Sequence, residues 1–266
     1  MEPDFRQSDF CDPARAQALF ATLGSKEAVA VGQPLPPFFH HIYFWDAQPP
    51  EKLGRDGHPK VGGLIPDTGL PRRMWAGGRL SFQQPLLAGV PTEKQSTCEK
   101  VSHKNGRSGP LALVTLRHDY LQEGALCVSE RQDLVYLEDP SPDGPKPTAP
   151  IAPTEAETEE PVTFSSTLLF RYSALTFNGH RIHYDLNYAK QVEGYSGLVV
   201  HGPLLAQLLI LLAQRELGPL AAFSFRATSA LMHTERAELC RHGQQMWVRG
   251  PDGRQCMRAE VTPASE

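Results

Sequence analysis

Hydrophobic and polar positions alternate in two different ways along the chain. Residues 12–23 (DPARAQALFATL) predict a short helix, with Asp12 as N-cap and Pro13 at its first position. A second, aromatic-rich helix is expected over 36–45 (PPFFHHIYFW). Gly and Pro then punctuate 54–71 into a long loop of the kind that shapes pockets. From Arg72 to Leu137 the period shortens to two. Four strands are expected in RRMWAGGRLSFQQ, 94–103, LALVTLRHDYLQ and ALCVSERQDLVYL, with Asn105-Gly106 as a hairpin turn.

Residues 138–161 are Pro-rich and acidic and read as a linker between two units, 1–137 and 162–266. The second unit is expected to open with a strand over 162–171. A polar segment follows, then the most apolar run of the chain, 204–213, broken only by Gln207. Strands near 221–230, 235–241, 244–250 and 254–262 complete it. A helix that is apolar all round needs cover on every side, and a curved antiparallel sheet supplies it. Two such units side by side form one continuous sheet: an α+β double hot dog.

A formal net charge of −4 without a Lys/Arg block argues against nucleic acid as the main partner. Five scattered cysteines form no CxxC pair, so neither a zinc knuckle nor a disulfide framework is suggested. The apolar run is too short to span a bilayer, for which about 20 residues are needed. The N-terminus resembles neither a signal nor a transit peptide. A cytoplasmic protein without a membrane partner is expected.

The densest chemistry lies between Tyr172 and Leu212. Asn178, His180, His183, Tyr184 and Asp185 fall within eight residues, and His201-Gly202-Pro203 reads as a helix start with Pro203 in the first position. Free N–H groups at such an end attract a carbonyl oxygen that gains negative charge. Imidazole, amide and helix N-terminus together point to acid–base chemistry beside an activated carbonyl. A metal reading of His180, His183, His201 and Asp185 is disfavoured, because the HxxH spacing is not that of a helical zinc pair.

SALTFNGHRIHYD followed by GLVVHGPLLAQLL resembles the MaoC-like hydratase/dehydratase superfamily, whose motif sets an acid five residues before a His. Asn178 stands where that acid would be, His183 at the His, and Gly202 at the helix-start glycine. With RRMWAGGRL, the resemblance narrows to the mesaconyl-C4-CoA and itaconyl-CoA hydratases and the mitochondrial hydroxyacyl-thioester dehydratases of type 2. It implies a hydro-lyase acting on an acyl-CoA thioester with no cofactor, in a fold whose sheets pair edge to edge into homo-oligomers. A branched C5-dicarboxyl-CoA giving citramalyl-CoA is the expected substrate. The alternatives are a 3-hydroxyacyl-thioester dehydratase of fatty-acid synthesis, a non-catalytic acyl-CoA-binding module and a thioesterase. His183 is the expected acid/base, Asn178 the holder of water, and Gly202 N–H the oxyanion donor. Arg181, Arg72, Arg73 and Arg79 are candidates for substrate or CoA anions, Trp75 for the acyl pocket wall, and Tyr184 for a supporting contact. One active site per chain is expected, with His40 a surface residue of no role.

Overall fold

The computed structural model describes residues 3–106, 109–139 and 148–265. Among these residues, ten antiparallel strands form one sheet. They are β1 (Phe5–Asp9), β2 (Arg72–Phe82), β3 (Thr92–Gly106), β4 (Gly109–Gln122), β5 (Ala125–Leu137), β6 (Thr158–Thr163), β7 (Leu220–Ala227), β8 (Arg236–His242), β9 (Gln245–Arg249) and β10 (Gln255–Pro263). Their spatial order is β1-β3-β4-β5-β2-β7-β10-β9-β8-β6. The first five strands in sequence make one half and the last five the other, which is the double hot dog expected from the sequence.

The halves meet where β2 pairs with β7. Gly77 faces Arg226 and Gly78 faces Phe225. A Cβ on Gly77 would lie 2.5 Å from the Phe225 carbonyl oxygen, and one on Gly78 would lie 2.8 Å from the Phe225 ring. Only glycine lets the two strands close up here.

Among the described residues there are four α-helices: α1 (Pro13–Thr22), α2 (Ser166–Leu175), α3 (Leu186–Gln191) and α4 (Gly202–Leu217). The Asp12 side chain accepts from Ala14 N–H and caps α1 as expected. α4 is the apolar run, packed on β2 and β7–β10. Its one buried amide, Gln207, donates to the Pro37 carbonyl at 3.1 Å, so the polar break in the run is satisfied.

Five local expectations are corrected. The helix over 36–45 is only a 3-10 turn at Phe39–Ile42, entered through Phe38 at φ 74°. The strand over 162–171 is instead the end of β6 followed by α2. Ser165 accepts from Leu168 N–H at 3.1 Å and so starts a helix where the branched residues suggested a strand. β6 also takes up the last residues of the supposed linker, of which 140–147 lie outside the described residues. Asn105 and Gly106 are the last residues of β3, in register with Pro110 and Gly109, so they belong to the strand; 107–108 lie outside the described residues. In α4, Gly202 rather than Pro203 is the first helical residue.

Candidate active site

α2 ends at Leu175, and the chain then turns sharply through Phe177 at φ 51°. Asn178 N–H donates to the Ser173 carbonyl at 2.8 Å, and Asn178 Oδ1 accepts from His180 N–H at 3.0 Å. That Asx turn consumes the oxygen of the carboxamide and leaves its NH2 group for the cavity, which Asn178 lines.

A second tie fixes His183. Val199 N–H donates to the Ile182 carbonyl at 3.0 Å, and His183 Nδ1–H donates to the Val199 carbonyl at 2.7 Å. The proton is therefore on Nδ1 and the lone pair on Nε2. Burial pushes the imidazole down to about 3, so it is neutral at pH 7 and able to accept a proton.

Behind it stacks His201, with ring centroids 3.6 Å apart. His201 is fully buried and shares a 2.8 Å hydrogen bond with the Ser173 hydroxyl. Burial holds it well below its ordinary value, with the neighbouring His183 and His180 acting the same way. As N-cap of α4 it makes no side-chain capping bond, and Pro203 has no N–H. The first amides of α4 are thus left without a side-chain partner at a helix start where Gly202 lines the cavity.

The cavity measures about 990 Å³, of the size that encloses a cofactor-sized ligand. The loop 54–71 forms one wall, with His58 and Leu64 facing in. It is anchored to the Asn178 segment: Arg181 N–H donates to the Asp56 carbonyl at 2.9 Å, and Gly57 and Gly179 touch backbone to backbone. Asp56 bonds His58 Nδ1 at 2.9 Å, and the His58 ring lies 4.6 Å from that of His180, which lies 5.4 Å from His183. Burial pushes His180 down to about 2. Burial raises Asp56, but hydrogen bonds from His58 outweigh this and hold it at about 2.

Of the residues chosen from sequence, Asn178, His183, Gly202, Trp75, Arg72 and Arg73 come together at this cavity. Arg72 is committed to Glu193 and to Tyr195, whose hydroxyl lies 3.0 Å away. Arg73 enters no ion pair among the described residues. Three candidates lie elsewhere. Arg79 is exposed and paired with Asp133, because its strand position turns it to the outer face. Arg181 bonds Asp185 one helical turn on and covers the Tyr188 ring. Tyr184 is exposed, its hydroxyl tied to the Gly179 carbonyl at 2.9 Å.

His40 is a further correction. It is buried, not on the surface, and with His41 it faces Glu130 across 90 and 89 residues of sequence. Glu130 Oε2 lies 3.2 Å from His40 Nε2, and Oε1 lies 2.9 Å from His41 Nε2. Two triads, His40–His41–Glu130 and Asp56–His58–His180, bring their ligand atoms within 4.8 Å of one another and have the donor types of a metal site. In both, the carboxylate already accepts hydrogen bonds from imidazole, which accounts for the clustering without an ion.

The sequence family model for hydroxyacyl-thioester dehydratase type 2 matches residues 38–233. The chain belongs to that family. It is 42% identical over 262 residues to the mesaconyl-C(4)-CoA hydratase of Chloroflexus aurantiacus, covering 96% of this chain and 93% of the relative. It is 28% identical to the mitochondrial hydroxyacyl-thioester dehydratase type 2 of Schizosaccharomyces pombe, over 76% of each chain. Among solved structures, HtdX of Mycobacterium tuberculosis superposes with a TM-score of 0.70 at 15% identity, covering 97% of this chain and 98% of the other, a likeness of fold. The family expected from SALTFNGHRIHYD and RRMWAGGRL is borne out, and with it an enzyme of the hydratase/dehydratase type.

Proposed function

We propose that the chain adds water reversibly to the double bond of a short enoyl-CoA bearing a free carboxylate, with mesaconyl-C4-CoA, hydrated to citramalyl-CoA, as the leading substrate. The observation that carries this is the His183 tautomer: Nδ1–H is held by the Val199 carbonyl, so Nε2 is a free base on a cavity shared with Asn178 and Gly202.

In the forward direction the Asn178 NH2 group holds the water and His183 Nε2 takes its proton as the oxygen attacks the β-carbon. Electron density moves to the thioester oxygen, which Gly202 N–H and the start of α4 stabilise. The imidazolium then returns the proton to the α-carbon. Because Asn178 cannot carry a proton, one imidazole serves both transfers, and both take place on the same face of the double bond. Arg73 supplies a cation to the anionic groups of the substrate. No described helix is long and apolar enough to cross a membrane, and all five cysteines are free; we place the reaction in the cytoplasm.

Hydration of crotonyl-, mesaconyl-C4- and itaconyl-CoA by the purified protein tests the reading. The dicarboxyl thioesters should be consumed well above crotonyl-CoA. Preference for crotonyl-CoA and longer chains would favour a hydroxyacyl-thioester dehydratase, the name carried by the fission-yeast relative. Absence of turnover with all three would sink the proposal.

A further inference from the structure

The inner face of β3–β5 carries polar side chains in register. Ser96 on β3 stands opposite His118 on β4, and His118 opposite Glu130 on β5. One step along, Lys94 stands opposite Tyr120. Lys94, Ser96, His118 and Tyr120 line the same cavity as His183.

Glu130 is completely buried, and its acceptors are fully used. It takes hydrogen bonds from His40, His41, the Tyr120 hydroxyl at 3.2 Å and the Gln132 amide at 3.1 Å. Lys94 is the opposite case. Among the described residues its ammonium enters no ion pair and donates no hydrogen bond; it sits 5.9 Å from the Tyr120 ring centroid. Burial lowers its pKa, opposed by the more distant charges of Glu130 and Asp46. A half-buried cation without a partner is unfavourable by itself, and an anion entering the cavity would relieve it.

An alkyl chain laid along this face would strip water from Lys94, Ser96 and His118 and return nothing. A short acyl group ending in a carboxylate would meet donors instead. We propose that Lys94, flanked by Ser96 and His118, forms the subsite that takes the free carboxylate of a short dicarboxylic acyl thioester and thereby sets acyl specificity. The inference rests on the hydratase reading above and names the part of that cavity which selects the acyl group.

The Ser96 hydroxyl and His118 Nδ1 share a 2.7 Å hydrogen bond, which fixes this polar pair beside the ammonium. In a mesaconyl-C4 thioester two C–C single bonds of about 1.5 Å, with the shorter C=C between them, separate the thioester carbon from the carboxylate carbon. The carboxylate is attached to the β-carbon, where water adds. Lys94 on one wall and His183 on the other would hold that carbon between them. The four donors around Glu130 shield its charge from the incoming anion.

The test is calorimetric binding of succinyl-CoA and butyryl-CoA, neither of which has an acyl double bond to hydrate, to the wild type, Lys94→Met, Lys94→Arg and Arg73→Met. The wild type should bind succinyl-CoA more tightly by about tenfold or more, the range of a charge-assisted hydrogen bond. Lys94→Met should erase or invert the preference, and Lys94→Arg should keep it. Arg73→Met should weaken both ligands alike. A wild type with no preference, a preference that survives Lys94→Met, or one that Arg73→Met erases instead, overturns the subsite. The ratio of kcat/KM for mesaconyl-C4-CoA over crotonyl-CoA should fall with Lys94→Met in parallel. Turnover without a succinyl preference removes the subsite alone. A succinyl preference lost in Lys94→Met, without turnover of any enoyl thioester, supports the subsite and removes the hydratase reading.

Discussion

Against β7–β10 the chain packs α4, whose Leu204, Leu205, Leu209 and Ile210 are all buried, and the facing strand β10 answers with Met257, Ala259 and Val261. Against β3–β5 no comparable helix lies among the described residues. There β4 runs Ala112, Val114, Leu116 on its inner face and then continues, in the same phase, with His118, Tyr120 and Gln122. Loop residues Leu64, Ile65 and Leu70 cover the apolar stretch, while His118 and Tyr120 line the cavity and Gln122 bonds the Leu87 backbone. One sheet thus has a filled half, whose side chains pack against a helix, and an open half, part of which lines a cavity. The histidine proposed as acid–base, His183, belongs to the boundary. Its segment leaves α2, a second-half helix that packs against α1 of the first half, and reaches over the cavity.

The largest expected effect is catalytic. His183→Ala should lower kcat/KM by about 10²–10⁴-fold, the usual worth of a positioned acid–base group. Circular dichroism should show the fold retained. A residual rate within threefold of the wild type would move the base elsewhere, with the Asp56–His58 pair the next place to look. The filled half should respond in stability instead. Leu209→Ala removes a completely buried side chain of α4 and should cost about 2–5 kcal/mol in chemical denaturation. A loss below 1 kcal/mol would mean that α4 is not the packed centre of its half.

The filled half was the more legible in the sequence. The apolar run of α4 needs burial on all sides wherever it occurs, and Asn178, His183 and Gly202 lie close along the chain. The polar row of the open half was missed because its members come singly from separate strands. Register between strands decides that Ser96, His118 and Glu130 meet, and register is not written in any one segment. A signal was nevertheless present: His118 and Gln122 occupy the buried phase of an otherwise apolar alternation. His40 looked idle because its carboxylate partner is 90 residues away. β6 hid in an acidic, Pro-rich stretch. As an outer strand of the sheet it tolerates Pro161, and its exposure alternates like any edge strand.

Acid should act on both halves together. Burial pushes His40 to about 4, His118 to about 3, His180 to about 2 and His183 to about 3. These values lie below the 6.5 of a free imidazole, so the unfolded chain takes up protons first as pH falls. Their contribution to stability is complete above about pH 6.5 and is lost as pH drops toward the folded values. At pH 5.5 each costs about 1.4 kcal/mol relative to neutral pH. Urea midpoints at pH 7.5, 6.5 and 5.5 should fall most over the last step, and a flat profile would contradict the burial of these rings. Activity should behave differently. Within the stable range, kcat/KM should stay level from pH 8 to 5.5, because His183 remains unprotonated; an acid limb centred on 6.5 would show that its ring is solvated.

The smallest effect expected is the one that separates the halves most sharply. Lys94→Met exchanges a half-buried ammonium, without an ion pair among the described residues, for an apolar side chain of similar length in the half that lines the cavity. Replacing a poorly compensated buried charge by a fitted apolar group is commonly neutral or stabilising. The melting temperature should therefore stay level or rise. The corresponding truncation in α4, Leu209→Ala, lowers it by many degrees, since about 1 kcal/mol moves the midpoint of a chain this size by roughly 2–4 °C. A drop of several degrees for Lys94→Met would show that the ammonium holds the sheet together through Glu130. The open half would then be a second core with a polar composition, and its acyl selectivity would have to come from Arg73.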